Sequence, residues 1–218
     1  MKIFNKIVIA VLVLFIASCI SEPKDFEFGE VTDNVYINYF FSMKMNIPEG
    51  WVYQDDFEST YLKEHDIFEV ELEGSFASFP TNEIEDATLL MMNKYDGAVQ
   101  MEANPNIILR AENLYNSGID EIDSYIKASK KELATLNDFR VLSTANIEKK
   151  IGGQTFKGID YSFSYQGMSF TQTFYTTLKN DFSLSMTLTY YSKAEKQELE
   201  KHLDGIVFDE SFSRENYN

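Results

Sequence analysis

Residues 139–191 read FRVLSTANIEKKIGGQTFKGIDYSFSYQGMSFTQTFYTTLKNDFSLSMTLTYY, and this stretch decides the fold. Apolar and polar residues alternate through much of it, which is the pattern of strands that have one face against a core. Three pairs of turn-forming residues divide it: Gly152-Gly153, Gln166-Gly167 and Asn180-Asp181. The stretch therefore predicts an antiparallel meander of four strands with one apolar face.

Alternate residues of the last strand of the meander form two chemically different sets, one for each face of the strand, and each set is called a parity below. One carries Phe182, Leu184, Met186, Leu188 and Tyr190, and the other carries Ser183, Ser185, Thr187 and Thr189. The polar parity has two interpretations: small side chains that let a helix approach closely, or the floor of a solvated groove for a ligand. We favour helix packing. Most aromatic residues fall on the apolar parity, so we assign them to the core rather than to a ligand site.

Two helices flank the meander in the sequence. The helix before it is predicted over about 119–136, because apolar residues recur there at steps of three and four or their multiples: Ile119, Ile122, Ile126, Leu133 and Leu136. After the meander, Ser192 and Glu195 form a capping box that predicts a last helix. Its apolar positions are Leu199, Leu203 and Ile206.

The N-terminal half gives weaker signals. The segment NYFFSMKMNIP at 38–48 predicts one strand, which ends in a turn at 48–51 with Trp51 as an aromatic anchor. ATLLMMNKY at 87–95 and IILRAENLY at 107–115 predict two further strands. The segment 54–86 is rich in acidic residues, which raises the question of a bound cation.

Three of these features together resemble the PsbP/DcrB-like superfamily over about residues 35–210: the IPEGW turn at 47–51, the meander, and the KAEKQELEKHLDGIVF segment at 193–208. The superfamily includes the PsbP extrinsic proteins of photosystem II, a nuclear Ran-binding relative and several bacterial lipoproteins. The resemblance implies an α+β fold, an antiparallel β-sheet with helices packed on both sides. It also implies a non-enzymatic binding or assembly role. No PsbP-type metal or partner motif is present, so no partner contacts are carried over.

The N-terminus predicts a lipoprotein signal peptide over residues 1–18. Lys2 and Lys6 precede the apolar run IVIAVLVLFI at 7–16, which is too short to span a bilayer comfortably. The stretch Ile16-Ala17-Ser18-Cys19 follows and resembles the lipobox of bacterial lipoproteins, in which the cysteine carries the lipid and becomes the first mature residue. Cys19, the chain's only cysteine, is therefore the predicted lipid-attachment site. Several acyl chains give stable anchoring where one would be marginal.

The remaining domain boundaries follow from composition. Residues 19–34 predict an acidic tether and 211–218 a tail. Ile20-Ser21 lacks the aspartate that retains some lipoproteins in the inner membrane, so we predict a lipid-anchored envelope protein of the outer membrane. The expected partners are the membrane, through the lipid, and an unknown envelope protein or component.

The charge excludes one class of partner. The chain has 19 Lys and Arg against 35 Asp and Glu, a net charge of -16. Phosphate contacts supply most nucleic-acid affinity, so no nucleic-acid partner is expected. Solubility is the simplest explanation of the acidity.

Candidate chemistry is sparse. His65 and His202 are the two histidines, and His65 stands among Glu64, Asp66 and Glu69 without a recognisable ligand spacing. Ser124 and Lys127 match an acylating Ser-x-x-Lys pattern whose companion motifs are missing. We predict no catalytic residues, no metal and no cofactor. The leading hypothesis is a non-catalytic envelope lipoprotein; the alternatives are a carrier of a small apolar ligand between sheet and helices, and a hydrolase using His65 or His202.

Overall fold

A computed structural model describes residues 25–55, 57, 72–73, 76–77, 79–96, 104–135, 140–165 and 168–212. Within these ranges the chain forms thirteen strands, two α-helices and a 3-10 turn at Thr81–Glu83. The strands are β1 Glu30–Thr32, β2 Val35–Asn38, β3 Met43–Asn46, β4 Val52–Gln54, β5 Leu72–Glu73, β6 Phe76–Ala77, β7 Asp86–Asn93, β8 Asn106–Asn113, β9 Arg140–Ile151, β10 Gln154–Tyr165, β11 Met168–Lys179, β12 Phe182–Tyr190 and β13 Val207–Phe208. The helices are α1 Ile122–Leu133 and α2 Lys193–Leu203.

The predicted meander forms one side of a seven-stranded antiparallel sheet with the order β4-β7-β8-β12-β11-β10-β9. Two of its hairpins close through residue pairs with positive φ, Gly152-Gly153 and Asn180-Asp181. Two successive left-handed residues produce the primed turn whose twist matches that of paired strands. The prediction of four antiparallel strands is therefore confirmed, and β12 lies at the centre of the sheet.

The two helices lie on opposite faces of the sheet. On one face, Leu199 and Leu203 of α2 join the main core with alternate residues of β12, such as Leu184 and Leu188. On the other face, Ile126 of α1 packs with Ile159, Tyr161 and Phe163 of β10. Phe156 belongs to the main core because it lies on the other parity of β10. This confirms the predicted α+β class and the placement of helices on both sides.

A second sheet, β1-β2-β3-β13, closes the main core at one end. Here the prediction of one strand over 38–48 is wrong, because β2 and β3 form a hairpin whose turn occupies residues 39–42. Ser42 has a φ of 49° and donates its amide to Tyr39 O at 3.2 Å. The Asn38 side chain accepts the Phe41 amide at 2.9 Å, and this local bond favours the turn over a continuous strand.

The predicted tether over 19–34 is wrong in its second half. Phe26 is fully buried and Phe28 is 2% exposed, and Phe26 pairs with Phe79 in an antiparallel bridge. The Phe26 ring stacks on Phe182 with ring centroids 5.2 Å apart. These residues belong to the folded core. The predicted signal peptide at 1–18, the predicted lipid-attachment site Cys19 and residues 213–218 of the predicted tail lie outside the described residues, and these assignments stay predictions.

A polar network fastens α2 to the sheet. The Asp160 carboxylate of β10 accepts hydrogen bonds from Thr173 at 2.8 Å and from Tyr190 at 2.7 Å, and it pairs with Lys196 of α2 at 2.8 Å. Burial would raise the pKa of Asp160, but the hydrogen bonds from Lys196, Tyr190 and Thr173 outweigh burial and hold the pKa below the ordinary value of an aspartate. Charged hydrogen bonds at a partly buried site stabilise the folded state.

We expect Asp160→Asn to lower the free energy of unfolding at neutral pH by about 1–3 kcal/mol, because the three donors lose their charged acceptor. A depressed pKa stabilises the fold above the unfolded pKa, and that stability is lost as the pH falls through the folded pKa. The difference between wild type and variant should therefore shrink below about pH 4. Urea titrations across this range measure it.

Asp123→Asn is the matched control, since Asp123 is 72% exposed and pairs with Lys157 at the surface. Exposed pairs contribute little, so this variant should lose less than about 1 kcal/mol. Equal losses in both variants would contradict a special role for the Asp160 network.

Candidate functional site: a groove between the first helix and the sheet

A cavity of about 800 Å³ lies between α1 and the sheet. It forms because α1 packs on β10 and β11 and leaves β12 and β8 less covered on that face. Ser183, Ser185 and Thr187 of β12 line the cavity. The close helix packing that we favoured for this parity is therefore wrong for these three residues, and the groove interpretation describes their position. A cavity of this size is in the range of small-molecule sites.

The register of the strands determines which side chains lie next to each other on the floor of the cavity. Across the β8–β12 pair, Ser183 faces Glu112 and Ser185 faces Arg110. Across the β7–β8 pair, Asp86 faces Glu112. Asp86, Glu112 and Ser183 therefore form one row across three adjacent strands, which we call the acidic row. Directly opposed residues have Cβ atoms about 4.5–5.5 Å apart, so their side chains interact.

Helix α1 supplies one wall, and Tyr125 connects it to the floor. The Tyr125 hydroxyl donates to the Glu112 carboxylate at 2.5 Å, and its ring stacks on Phe174 with centroids 6.3 Å apart. Burial, aided by the hydrogen bond to Glu112, raises the pKa of Tyr125 to about 12. The phenol therefore stays protonated and keeps donating at neutral pH. Glu132 and Leu133 continue the same wall.

The opposite wall is the segment 82–86 together with the loop after β8. Asn113 holds the two together: its amide donates to Thr81 O at 2.7 Å and to Ile84 O at 2.9 Å, and its Oδ1 accepts the Tyr115 amide at 2.9 Å. This bonding fixes the loop that carries Tyr115. The Tyr115 side chain remains 72% exposed at the rim of the groove, which is unusual for an aromatic ring.

The groove has an excess of negative charge. Four carboxylates line it, from Glu85, Asp86, Glu112 and Glu132, against the single guanidinium of Arg110. Arg110 pairs with Asp86 at 2.5 Å. Facing acidic residues repel each other, so the acidic row costs stability unless a positive charge lies beside it.

One floor group is deeply buried under the helix wall. Ser183 is 1% exposed, and the Tyr125 hydroxyl is its side-chain hydrogen-bond neighbour on this face. Tyr125 therefore contacts the floor at both Glu112 and Ser183.

The predicted candidates do not converge on this groove. Cys19 and His65 lie outside the described residues. Ser124 and Lys127 are exposed on α1 and do not line the cavity. His202 is on α2, across the sheet from the groove, where its ring and that of Trp51 form a T-shaped pair with centroids 5.2 Å apart. Among the residues the structure describes, no three His, Cys, Asp or Glu side chains are grouped to hold a metal ion. The same residues contain no helix long and apolar enough to cross a membrane.

No protein-family model and no curated protein matches the chain. Several solved structures do, at low identity. LpqN, described as involved in cell envelope biogenesis of Mycobacterium tuberculosis, is 14% identical, with 76% of this chain and 82% of that one covered and a TM-score of 0.39. Cyanobacterial PsbP (CyanoP) from Synechocystis is 9% identical, with coverages of 88% and 98% and a TM-score of 0.40. The Ran-binding protein Mog1p from Saccharomyces cerevisiae is 11% identical, with coverages of 74% and 78% and a TM-score of 0.36. These likenesses are too distant to carry a function to this chain.

The environment of His202 predicts a pH dependence of stability. Burial lowers the pKa of His202, and its Nε2 is buried without a hydrogen bond among the described residues. In the unfolded chain the histidine protonates near pH 6.5, whereas the folded state resists the proton, so stability falls as the pH drops below about 6.5. We expect wild type to lose more unfolding free energy than His202→Gln between about pH 7.5 and about pH 5.5.

Fluorescence of Trp51, the chain's single tryptophan, can follow urea unfolding for this comparison. His65→Gln is the control for the other histidine. An identical loss of stability in wild type and His202→Gln would show that His202 titrates normally and would overturn the prediction.

Proposed function

We propose that this chain is a lipid-anchored bacterial envelope protein that binds a small ligand, without catalysis, in the groove between α1 and the sheet. The observation that carries the binding role is the cavity of about 800 Å³ with a floor of small polar side chains. The lipobox-like stretch ending at Cys19 supports the anchor and the envelope location. The residues after Cys19 lack the aspartate that retains some lipoproteins in the inner membrane, and this supports a location in the outer membrane.

The ligand class differs from the apolar one considered for a carrier. The apolar space between α2 and the sheet is occupied by core side chains such as Leu184, Met186 and Leu199. The open volume lies on the other face, where serine, threonine and carboxylate groups meet aromatic rings. A ligand with both polar and apolar parts fits this lining best, since buried polar groups need partners.

A non-catalytic role accords with the same lining. Tyr125 is the groove's titratable hydroxyl closest to Glu112, and its raised pKa makes it a hydrogen-bond donor rather than a base at neutral pH. His202, the histidine that a hydrolase could use among the described residues, does not line the groove.

Substitution of a floor residue tests the binding role. Thr187→Leu places a larger apolar side chain in the cavity, so it should exclude the ligand. Native mass spectrometry of the full chain purified from its own envelopes should show a bound small molecule on wild type and none on Thr187→Leu. The matched control is Thr144→Leu, which makes the same change on the exposed strand β9 and should keep the ligand. Equal occupancy in all three proteins would contradict the groove as the site.

The anchor is tested at Cys19. Wild type grown with an alkyne analogue of palmitate should carry the label and sediment with membranes, because several acyl chains hold a protein firmly to a bilayer. Cys19→Ala should be unlabelled and soluble. Ser21→Ala keeps the cysteine and should behave as wild type; a labelled Cys19→Ala chain would overturn the anchoring proposal.

A further inference from the structure

We propose that the free edge of strand β9 binds an extended segment of another protein in which acidic and apolar residues alternate. The segment would pair with β9 and add an eighth strand to the seven-stranded sheet. Two observations carry this: the backbone groups that β9 leaves unpaired, and the positive charge beside them. The surface lies apart from the groove, so its test is independent of the proposed small-ligand site.

Strand β9 is the outermost strand of the large sheet, and among the described residues it pairs only with β10. Ile151 and Gln154 flank the two-residue turn between these strands, and such a closing pair exchanges both of its backbone hydrogen bonds. The alternation along β9 then leaves the N–H and C=O groups of four residues facing away from β10: Thr144, Asn146, Glu148 and Lys150. Extended peptides bind free sheet edges of this kind by adding a strand.

The edge is long and accessible. Its register on β10 is unbroken from Ser143 to Ile151, and the four residues with outward backbone groups are all exposed. Leu142, just before this stretch, is passed over in the register and is 50% exposed. The opposite edge strand of the sheet, β4, has only three residues. The edge at β9 is therefore the one that offers a long template for a further strand.

Helix α1 places positive charge beside this edge. Asp123 of α1 pairs with Lys157 of β10 at 2.8 Å, whereas Tyr125 on the other flank of the helix reaches β8. The flank that carries Asp123 therefore lies toward β9. Lys127 and Lys130 follow Asp123 by four and seven residues, so they share that flank. Neither belongs to an ion pair of the described residues.

This part of the chain differs in charge from the rest. Residues 124–157 hold seven Lys and Arg against three Asp and Glu, although the whole chain has a net charge of -16. An acidic segment is therefore attracted to this edge and repelled by the remaining surface. A second copy of the chain fits the edge less well, because antiparallel pairing of two β9 strands would bring Lys149 and Lys150 of both copies to one interface.

The two faces of β9 determine the pattern of the partner segment. On the α1 face, an added strand would lie beside Lys127, Lys130 and Lys150, so its side chains there should be acidic. On the other face lies Ala145, and Ile147 packs against the main core. Side chains of the partner on that face should therefore be apolar. Charged edge residues that discourage pairing with basic or apolar strands thus favour an acidic one.

Nine-residue peptides test the inference by fluorescence anisotropy on the full chain. We expect a labelled peptide of alternating Glu and Val to bind at least about tenfold more tightly than one of alternating Lys and Val. If the Lys peptide binds as tightly as the Glu peptide, or if the Glu peptide does not bind at millimolar concentration, the inference is overturned.

Methylated peptides separate strand pairing from charge attraction. In an antiparallel pair, the residues opposite the outward-facing β9 residues share the α1 face, so the Glu nitrogens of the peptide face β9. Methylation of the Glu nitrogens should weaken binding at least about tenfold, whereas methylation of the Val nitrogens should change it less than about threefold. Equal binding by both methylated peptides would show that the surface responds to charge alone, as it would toward an anionic membrane, and would overturn strand addition.

Substitutions at Asn146 test the same backbone contact from the protein side. Asn146→Pro removes an outward N–H and leaves the ladder to β10 intact, so it should weaken the Glu–Val peptide at least about tenfold. Asn146→Ala removes the same side chain but keeps the N–H, and it should bind as wild type does. Unchanged binding by a folded Asn146→Pro chain would contradict pairing at this edge.

Paired lysine substitutions test the contribution of charge. Lys127→Gln with Lys130→Gln should weaken the Glu–Val peptide at least about threefold. Lys193→Gln with Lys201→Gln removes the same charge from exposed positions of α2, across the sheet, and should leave the affinity unchanged. Equal weakening in both double variants would make the attraction a general charge effect and overturn the role of the α1 flank.

Sedimentation of the full chain distinguishes the other occupant. A wild-type dimer that Asn146→Pro abolishes would assign the β9 edge to a second copy and overturn the acidic partner. None of these outcomes affects the groove, whose test is the ligand carried by wild type and Thr187→Leu.

Discussion

The pleat of strand β12 is the constraint from which the rest of the structure follows. Successive side chains of a strand point to opposite faces, and β12 lies in the middle of the sheet, with β8 on one side and β11 on the other. The side chains on both faces of β12 therefore lie in the interior or under a covering element. Leu184, Met186 and Leu188 lie in the core on one face, and Ser183, Ser185 and Thr187 lie in the groove on the other. A shift of one residue in register would exchange these two sets.

The difference between the two faces of β12 determines where the two helices pack. Leu199 and Leu203 of α2 are buried against the apolar parity of β12, and each such leucine contributes about 1.5–3 kcal/mol of burial energy. The polar parity offers no such gain, so α1 finds its apolar partners on β10, where Ile126 meets Ile159. Tyr125 then spans the remaining distance to Glu112 with a hydrogen bond. The groove is the space between this apolar contact and the polar strands.

Local patterns explain how much of this was predictable. Alternation, paired turn residues and helical spacing describe short-range regularities, and they correctly predicted the meander, α1, α2 and strands β7 and β8. The prediction of a tether over 19–34 was wrong in its second half because Phe26 and Phe28 lie in a polar segment. Their burial depends on contacts with Phe182 and Phe79, which are far away in the sequence. The prediction that a helix packs on the polar face of β12 was wrong for a related reason. Ser183 and Thr187 suit either a helix contact or a cavity floor, and the lateral position of α1 decides between the two. The acidic row depends on strand register, which single residues do not encode.

The groove is also where the molecule departs from the rules that the rest of it obeys. Elsewhere a partly buried carboxylate such as Asp160 is matched by Lys196, Tyr190 and Thr173, and the apolar face of β12 is fully packed. In the groove, Asp86 faces Glu112 across the strand pair, and each carboxylate is met by a single donor, Arg110 for Asp86 and Tyr125 for Glu112. Two facing carboxylates repel each other, and this pair adds nothing to the core. Departures of this kind concentrate at functional sites, where a ligand supplies what the chain lacks.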